Sequence, residues 1–161
     1  IFNLSSQWKN QYGDSLYLKN LQGKTLAVVM IYTTCKTACP ILVSKMKSIE
    51  SKISKKDKKD VSLVLVSIDP ETDTPARLQE FAKTNQMSGP QWVFLTSNES
   101  STQEFANVLS MKYKKISPMD FSHSNIISVF SPEGQLVSQE EGTIDVDKVA
   151  LTLHETVRKS K

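Results

Sequence analysis

Residues 61–68 read "VSLVLVSI", a β-branched and nearly all-apolar run. Such a strand has no side fit for water, so it must be covered on both faces, as in a mostly parallel sheet clothed by helices. The stretch "TLAVVMIY" at 25–32, fed by a turn at "QGK", is a second strand. Between them "PILVSKMKSIESKI" carries Ile41, Leu42, Met46, Ile49 and Ile53 at helical period, with Pro40 suited to a first turn, where its missing N–H costs nothing.

The same alternation continues along the chain. "LYL" at 16–18 reads as a strand edge. Thr74 followed by Pro75 opens a helix carrying Leu78, Phe81 and Ala82, and "QWVFLT" at 91–96 is a strand. Ser101 with Glu104 three residues on is a capping box for a helix running to about Tyr113. "NIISVF" at 125–130, the turn "SPEG" and "QLVSQ" at 135–139 form a hairpin. Val146, Val149, Ala150, Leu153 and Val157 stripe a last helix, with His154 at the margin of that stripe. The order is a short N-terminal extension, then β-α-β-α-β-α-β-β-α. That is an α/β class chain, and a thioredoxin-like fold with a βα insertion has this order.

A length of 161 residues suits one domain, expected over 1–161 with 1–24 as its N-terminal extension. The net charge of +3 is too mild to imply nucleic acid as a partner. The lysines of "SKISKKDKKD" at 51–60 read as a solvated helix end and loop rather than a docking patch. The longest apolar run, "LAVVMIY", is far too short to span a membrane. A first residue of isoleucine is what a mature or trimmed product shows, with any signal or anchor already removed.

The two cysteines, Cys35 and Cys39, stand in "TTCKTACP", where the first long strand hands over to its helix. A helix start gathers unpaired N–H groups and the positive end of the macrodipole, which favours a thiolate. Residues four apart share a helical face, so two sulfurs can converge on one atom or join as a disulfide. The pair is therefore a chelating or redox couple. The alternative is a fixed structural disulfide or two idle thiols, and so short a loop gains comparatively little from cross-linking. The C-x-x-C of thioredoxins is absent. So is the P-x-x-x-T-x-x-C of peroxiredoxins, because Val28 and Tyr32 fill its proline and threonine places. No proline stands among residues 121–124, just before the strand "NIISVF"; His123 lies there instead. Two thiolates and an imidazole form a soft, low-coordinate set that suits copper, particularly Cu(I), and Cu(II) with an added ligand. Zinc is the rival, though a structural zinc site would want a fourth protein ligand.

Four stretches, in order, resemble the Sco/SenC family of thioredoxin-fold copper proteins. They are the C-x-x-x-C-P of Cys35, Cys39 and Pro40; "VSIDPETDTP" at 66–75; "WVFLT" at 92–96; and "SHSNIISVFSPEG" at 122–134. The resemblance implies that Cys35, Cys39 and His123 bind copper. It implies a metallochaperone that delivers copper to the binuclear copper centre of cytochrome c oxidase, or matures it. A thiol–disulfide reductase using Cys35 and Cys39 as its catalytic couple, or a copper or redox sensor, are the alternatives. The partner implied is the copper-centre subunit of the oxidase or another copper acceptor. Family members are usually tethered to a membrane and face the bacterial periplasm or the mitochondrial intermembrane space. Two positions depart from the common pattern: Lys36 replaces a proline and should favour the thiolates, and Ser122 replaces an aspartate beside the histidine. In "DPETDTP" the mechanical expectation is that Asp69 ends a strand, Thr74 caps a helix and Pro75 fixes its first turn. The functional one puts Asp69 or Asp73 at the sheet end near the cysteines, tuning the thiolates or meeting a partner.

Overall fold

The computed structural model describes residues 5–33, 38–109, 113–117, 120–123, 126–142 and 144–160, with backbone alone at 38–39, 113–117 and 120–123. The central strands are the two predicted from their apolar runs, β3 (Thr25–Ile31) and β4 (Val61–Ser67), and both are buried along their whole length. They pair in parallel from Thr25 opposite Val61 to Ile31 opposite Ser67. β5 (Trp92–Thr96) continues the parallel set beside β4, and β8 (Ile126–Phe130) runs antiparallel on the other side of β3. The hairpin partner of β8 is β9 (Leu136–Glu141), as expected from "SPEG", whose Gly134 takes φ +87. Gly23 at φ +102 makes the turn before β3, a conformation other residues rarely adopt.

The N-terminal residues add two strands, β1 (Gln7–Asn10) and β2 (Ser15–Tyr17), giving a seven-stranded sheet in the order β2-β1-β5-β4-β3-β8-β9. β1 was not legible: "QWKN" has no apolar alternation, and it becomes a strand because the edge of β5 offers it a ladder. A second small sheet pairs β6 (Tyr113–Ser117) with β7 (Asp120–His123), also unforeseen.

Helices α1 (Ala38–Lys52) and α5 (Val146–Lys159) pack on each other, and a single turn, α2 (Lys55–Lys58), follows α1. Leu42, Met46, Ile49 and Ile53 enter the core, spaced 4, 3 and 4. Ile41 does not. It is 58% exposed, because it sits one residue to the side of that stripe, over Lys45 rather than Met46. In α3 (Pro75–Thr84) Thr74 is the cap and Pro75 the first residue, as expected. α4 (Glu99–Val108) corrects a second expectation. Its cap is Asn98, whose side chain accepts from the Ser101 N–H, so Ser101 lies inside the first turn. The helix stops at Val108, and its C-cap Leu109 is buried beside the helix's own buried positions, Thr102, Phe105 and Ala106. Tyr113 belongs to β6.

Aromatic contacts fix which helix covers which face. Phe81 of α3 meets Phe94 of β5 edge-on at 6.1 Å, and Trp8 of β1 meets Phe105 of α4 in the same manner at 5.7 Å. Lys9 lies opposite Thr96, which shares a face with Phe94, so Trp8 points the other way. The sheet therefore separates α3 from α4.

Candidate metal centre

The register brings the C-terminal ends of β3, β4 and β5 to one edge of the sheet, where α/β folds commonly build their sites. The connection leaving β3 at that edge leads into α1, and Cys39 is the second residue of that helix, with Pro40 in the same first turn. Cys35 lies outside the described residues. β8 begins at the same edge, since Ile127 pairs with Val29 near the end of β3. β7 ends on His123, three residues before Ile126, a separation that chain geometry limits to about 11 Å. The connections bearing Cys39 and His123 thus share one end of the sheet. Among the described residues, which exclude Cys35 and the side chains of Cys39 and His123, no group of three metal-binding side chains is assembled.

Beside Thr33, at the exit of β3, lies Asp73, with no exposed surface. Its carboxylate accepts from the Thr33 hydroxyl at 2.5 Å, from the Thr33 N–H at 3.2 Å and from the Ser67 hydroxyl at 2.7 Å. Arg77, one turn along α3, donates from Nε to Thr33 Oγ1 at 2.6 Å and stands 3.8 Å from the Asp73 carboxylate. Burial pushes the Asp73 carboxyl above its ordinary 3.8. The hydrogen bonds from Thr33 and Ser67 pull it back, and the nearby Asp69 adds to the rise. Thr33 is the last described residue before the connection and stands two residues from Cys35. Asp73 therefore ties the exit of β3 to the exit of β4.

Asp69 is also buried, and its backbone does the mechanical work expected of it. Its N–H donates to Ser67 Oγ at 3.0 Å, and its carbonyl accepts from the N–H groups of Thr72 and Asp73. Asp73 is legible in the sequence as a site candidate, but the residues that hold it are not. Ser67 carried the one available signal, a hydroxyl inside an otherwise apolar strand, which must find a partner once buried. Thr33 and Arg77 gave none, because their partners lie 40 and 44 residues away. His154 is half exposed at the margin of α5, as expected, and its Nδ1 bonds the buried Asp57 at 2.6 Å. Lys55, Lys56 and Lys59 face solvent around α2, in keeping with a solvated turn. Among the described residues, no helix is long and apolar enough to cross a membrane.

Comparison with known proteins agrees with this architecture. The chain is 29% identical over 138 residues to the SCO1 protein homolog of Bacillus subtilis, a match covering 84% of this chain and 71% of that protein. Matches to six further curated relatives span only 40 to 64% of their lengths. Among solved structures, Arabidopsis thaliana ScoI with copper bound superposes with a TM-score of 0.84 at 26% identity, covering 96% of each chain. BsSco, described as a member of the Sco family of cytochrome c oxidase assembly proteins with a disulfide switch, gives 0.81 at 27%, covering 94% of this chain and 91% of its own. The expected thioredoxin-like fold is therefore the observed one. The sequence model of the SCO1/SenC family matches residues 4–158, and with strand order, helix starts and motifs in agreement, the chain belongs to that family.

Proposed function

We propose that this protein binds copper through Cys35, Cys39 and His123 and carries it as cargo in the assembly of cytochrome c oxidase. One observation carries this reading: the helix start bearing Cys39 and the strand end bearing His123 belong to connections at a single end of the sheet. The donor set fits the metal, because two thiolates and a neutral imidazole are soft and intermediate ligands that favour Cu(I). A cysteine in a first helical turn loses its proton more readily, so the ligand form is available near neutrality. Cu(I) would pass to the acceptor by stepwise exchange, each acceptor thiolate replacing one ligand of the donor set. Asp73 would act from beneath, holding Thr33 and with it the approach to Cys35, while Asp69 shapes the turn that presents Asp73. The copper-centre subunit of the oxidase is the acceptor this reading favours. Residues 1–161 would act as one unit, with the 1–24 extension widening the sheet, held near a membrane on the periplasmic or intermembrane-space side.

The decisive measurement is Cu(I) titration of the reduced protein against a competing chelator. One equivalent should bind, and Cys35→Ser or His123→Ala should weaken binding by at least tenfold. Unchanged stoichiometry and affinity in both variants would eliminate this site.

A second reading draws on the cysteine spacing and on the disulfide switch described for the 27%-identical BsSco. As a reductase, the more exposed thiolate would attack an acceptor disulfide, forming a mixed disulfide and releasing one acceptor thiolate. The other thiolate would then displace the second, leaving Cys35–Cys39 oxidised and the acceptor reduced by two electrons. Full activity in metal-free His123→Ala protein would favour this reading over copper carriage.

A further inference from the structure

The end of the sheet where β3 and β4 begin has no part in the proposed copper chemistry, and the length of β3 sets it about 20 Å from the end bearing Cys39. There the Thr25 N–H bonds the Asp60 carbonyl at 2.9 Å, so the two strand entries lie side by side, with Lys24 ahead of one and Lys59 ahead of the other. α2 sits directly before β4, and α5 runs down to it. Lys148, in the first turn of α5, pairs with Glu140 at the level of Val29, and His154 bonds Asp57 of α2. The last turn of α5, with Arg158 and Lys159, therefore ends beyond α2. Lys24, Lys55, Lys56, Lys59, Arg158 and Lys159 are all exposed, and none forms an ion pair among the described residues. The acids sit elsewhere. Asp57, the one acid inside "KKDKK", is 6% exposed and held by His154 at 2.6 Å, so the outer face of α2 is purely cationic. Asp60 is half-buried. Glu133 and Glu155, on the bordering turn and helix, are exposed and weaken the field without cancelling six cations. At the far end the connections leaving β4 and β5 carry Asp69, Glu71, Asp73 and Glu99, so the net charge of +3 is unevenly spread along the sheet.

We propose that this strand-entry end docks on a membrane surface rich in anionic lipid headgroups, with the copper end turned away from the bilayer. The lysine run at 51–60 alone reads as a solvated turn. The fold makes it a face by adding Lys24 and the end of α5 and by burying Asp57. Two features favour a bilayer over an acidic protein or a nucleic acid. Five of the six cations are lysines, point charges on flexible stems that suit a fluid surface, whereas arginine suits partners of fixed, bidentate geometry. Among the described residues, no exposed large apolar side chain lies on α2, at the two strand entries or in the last turn of α5. The face therefore lacks both the anchors that a protein partner would bury and the aromatic rings on which bases would stack. The separation of about 20 Å exceeds two Debye lengths at physiological ionic strength, so docking leaves the electrostatics around Cys39 and His123 unchanged.

The test sediments the full chain, metal-free and reduced, with vesicles of phosphatidylglycerol mixed into phosphatidylcholine and, in parallel, with phosphatidylcholine alone. Binding to the first and not the second is expected, falling steeply as potassium chloride is raised. Lys24→Gln, Lys55→Gln and Lys56→Gln should each weaken binding about fivefold. Lys9→Gln, an exposed lysine at the copper end, should leave it unchanged. All four side chains are exposed and outside any ion pair among the described residues, so the substitutions spare the fold. Amine-reactive footprinting read by mass spectrometry gives the orientation: bound vesicles should protect Lys24, Lys55, Lys56 and Lys59 and leave Lys9 reactive. Equal binding to both vesicle types, equal loss in Lys9→Gln, or protection of Lys9 in place of the α2 lysines would overturn the proposal. Capture by polyglutamate without binding to anionic vesicles would also overturn it and assign the face to an acidic protein. No copper is present, so loss of copper binding and loss of membrane docking are separately read.

Discussion

Replacing Asp73 by alanine is the sharpest single perturbation of the site's foundation. The carboxylate accepts three hydrogen bonds, and each loses its acceptor. Ser67 is fully buried, so its stranded hydroxyl should cost about 1–3 kcal/mol. Thr33 is half-buried, and water can replace part of its two bonds, at about 0.5–1 kcal/mol each. Relief from burying a carboxyl offsets some of this, leaving a net loss of about 2–4 kcal/mol. Asp73→Asn should behave differently. Its carbonyl oxygen can keep the Ser67 hydroxyl and Thr33 N–H, and its amide can donate to Thr33 Oγ1, so the loss should stay below about 1.5 kcal/mol. The two variants also separate by pH. The folded protein holds the Asp73 proton more tightly than the unfolded chain does, because burial raises its pKa above 3.8. That contribution favours folding fully below 3.8 and is lost as pH rises through the folded-state value. Urea unfolding of the reduced protein from below 3.8 to neutrality should therefore show wild type losing stability relative to Asp73→Asn across that window, with a constant difference above it. An alanine variant within 0.5 kcal/mol of wild type, or an asparagine variant as damaged as alanine, would refute the account of Asp73 as a buried tie.

Four further substitutions test the corrected helices. Ile41→Ser should change stability by less than about 0.5 kcal/mol, whereas Met46→Ala, a fully buried neighbour on the same helix, should cost about 2–5 kcal/mol; thermal or urea unfolding reads both. Asn98→Ala should cost about 1 kcal/mol as loss of the α4 cap, and Ser101→Ala should fall below half of that, an order that would reverse if Ser101 were the cap.

The layered α/β arrangement was legible because its signals are local. Seven-residue apolar runs, a threonine–proline start and a turn such as "SPEG" act over a few residues, and β3, β4, α3 and the β8–β9 hairpin formed where those signals lie. What failed had no local signal or had two competing ones. Asn98 and Ser101 are comparably good caps, and the burial of Thr102, Phe105 and Ala106 chose between them. "QWKN" carries no strand pattern, and only the open edge of β5 made it one.

The chain by itself determined its donors and their spacing: two cysteines a helical turn apart beside a proline, and a histidine ahead of a later strand. It also determined its family, since those motifs recur in order. Only the tertiary structure decided that Thr33, Ser67 and Arg77 converge on Asp73, and that Asp57 is buried against His154 beneath a face of lysines. The physical reason is range. Covalent spacing fixes what neighbours along the chain can share, but hydrogen bonds across 40 or more residues exist only once parallel strands have brought their ends together.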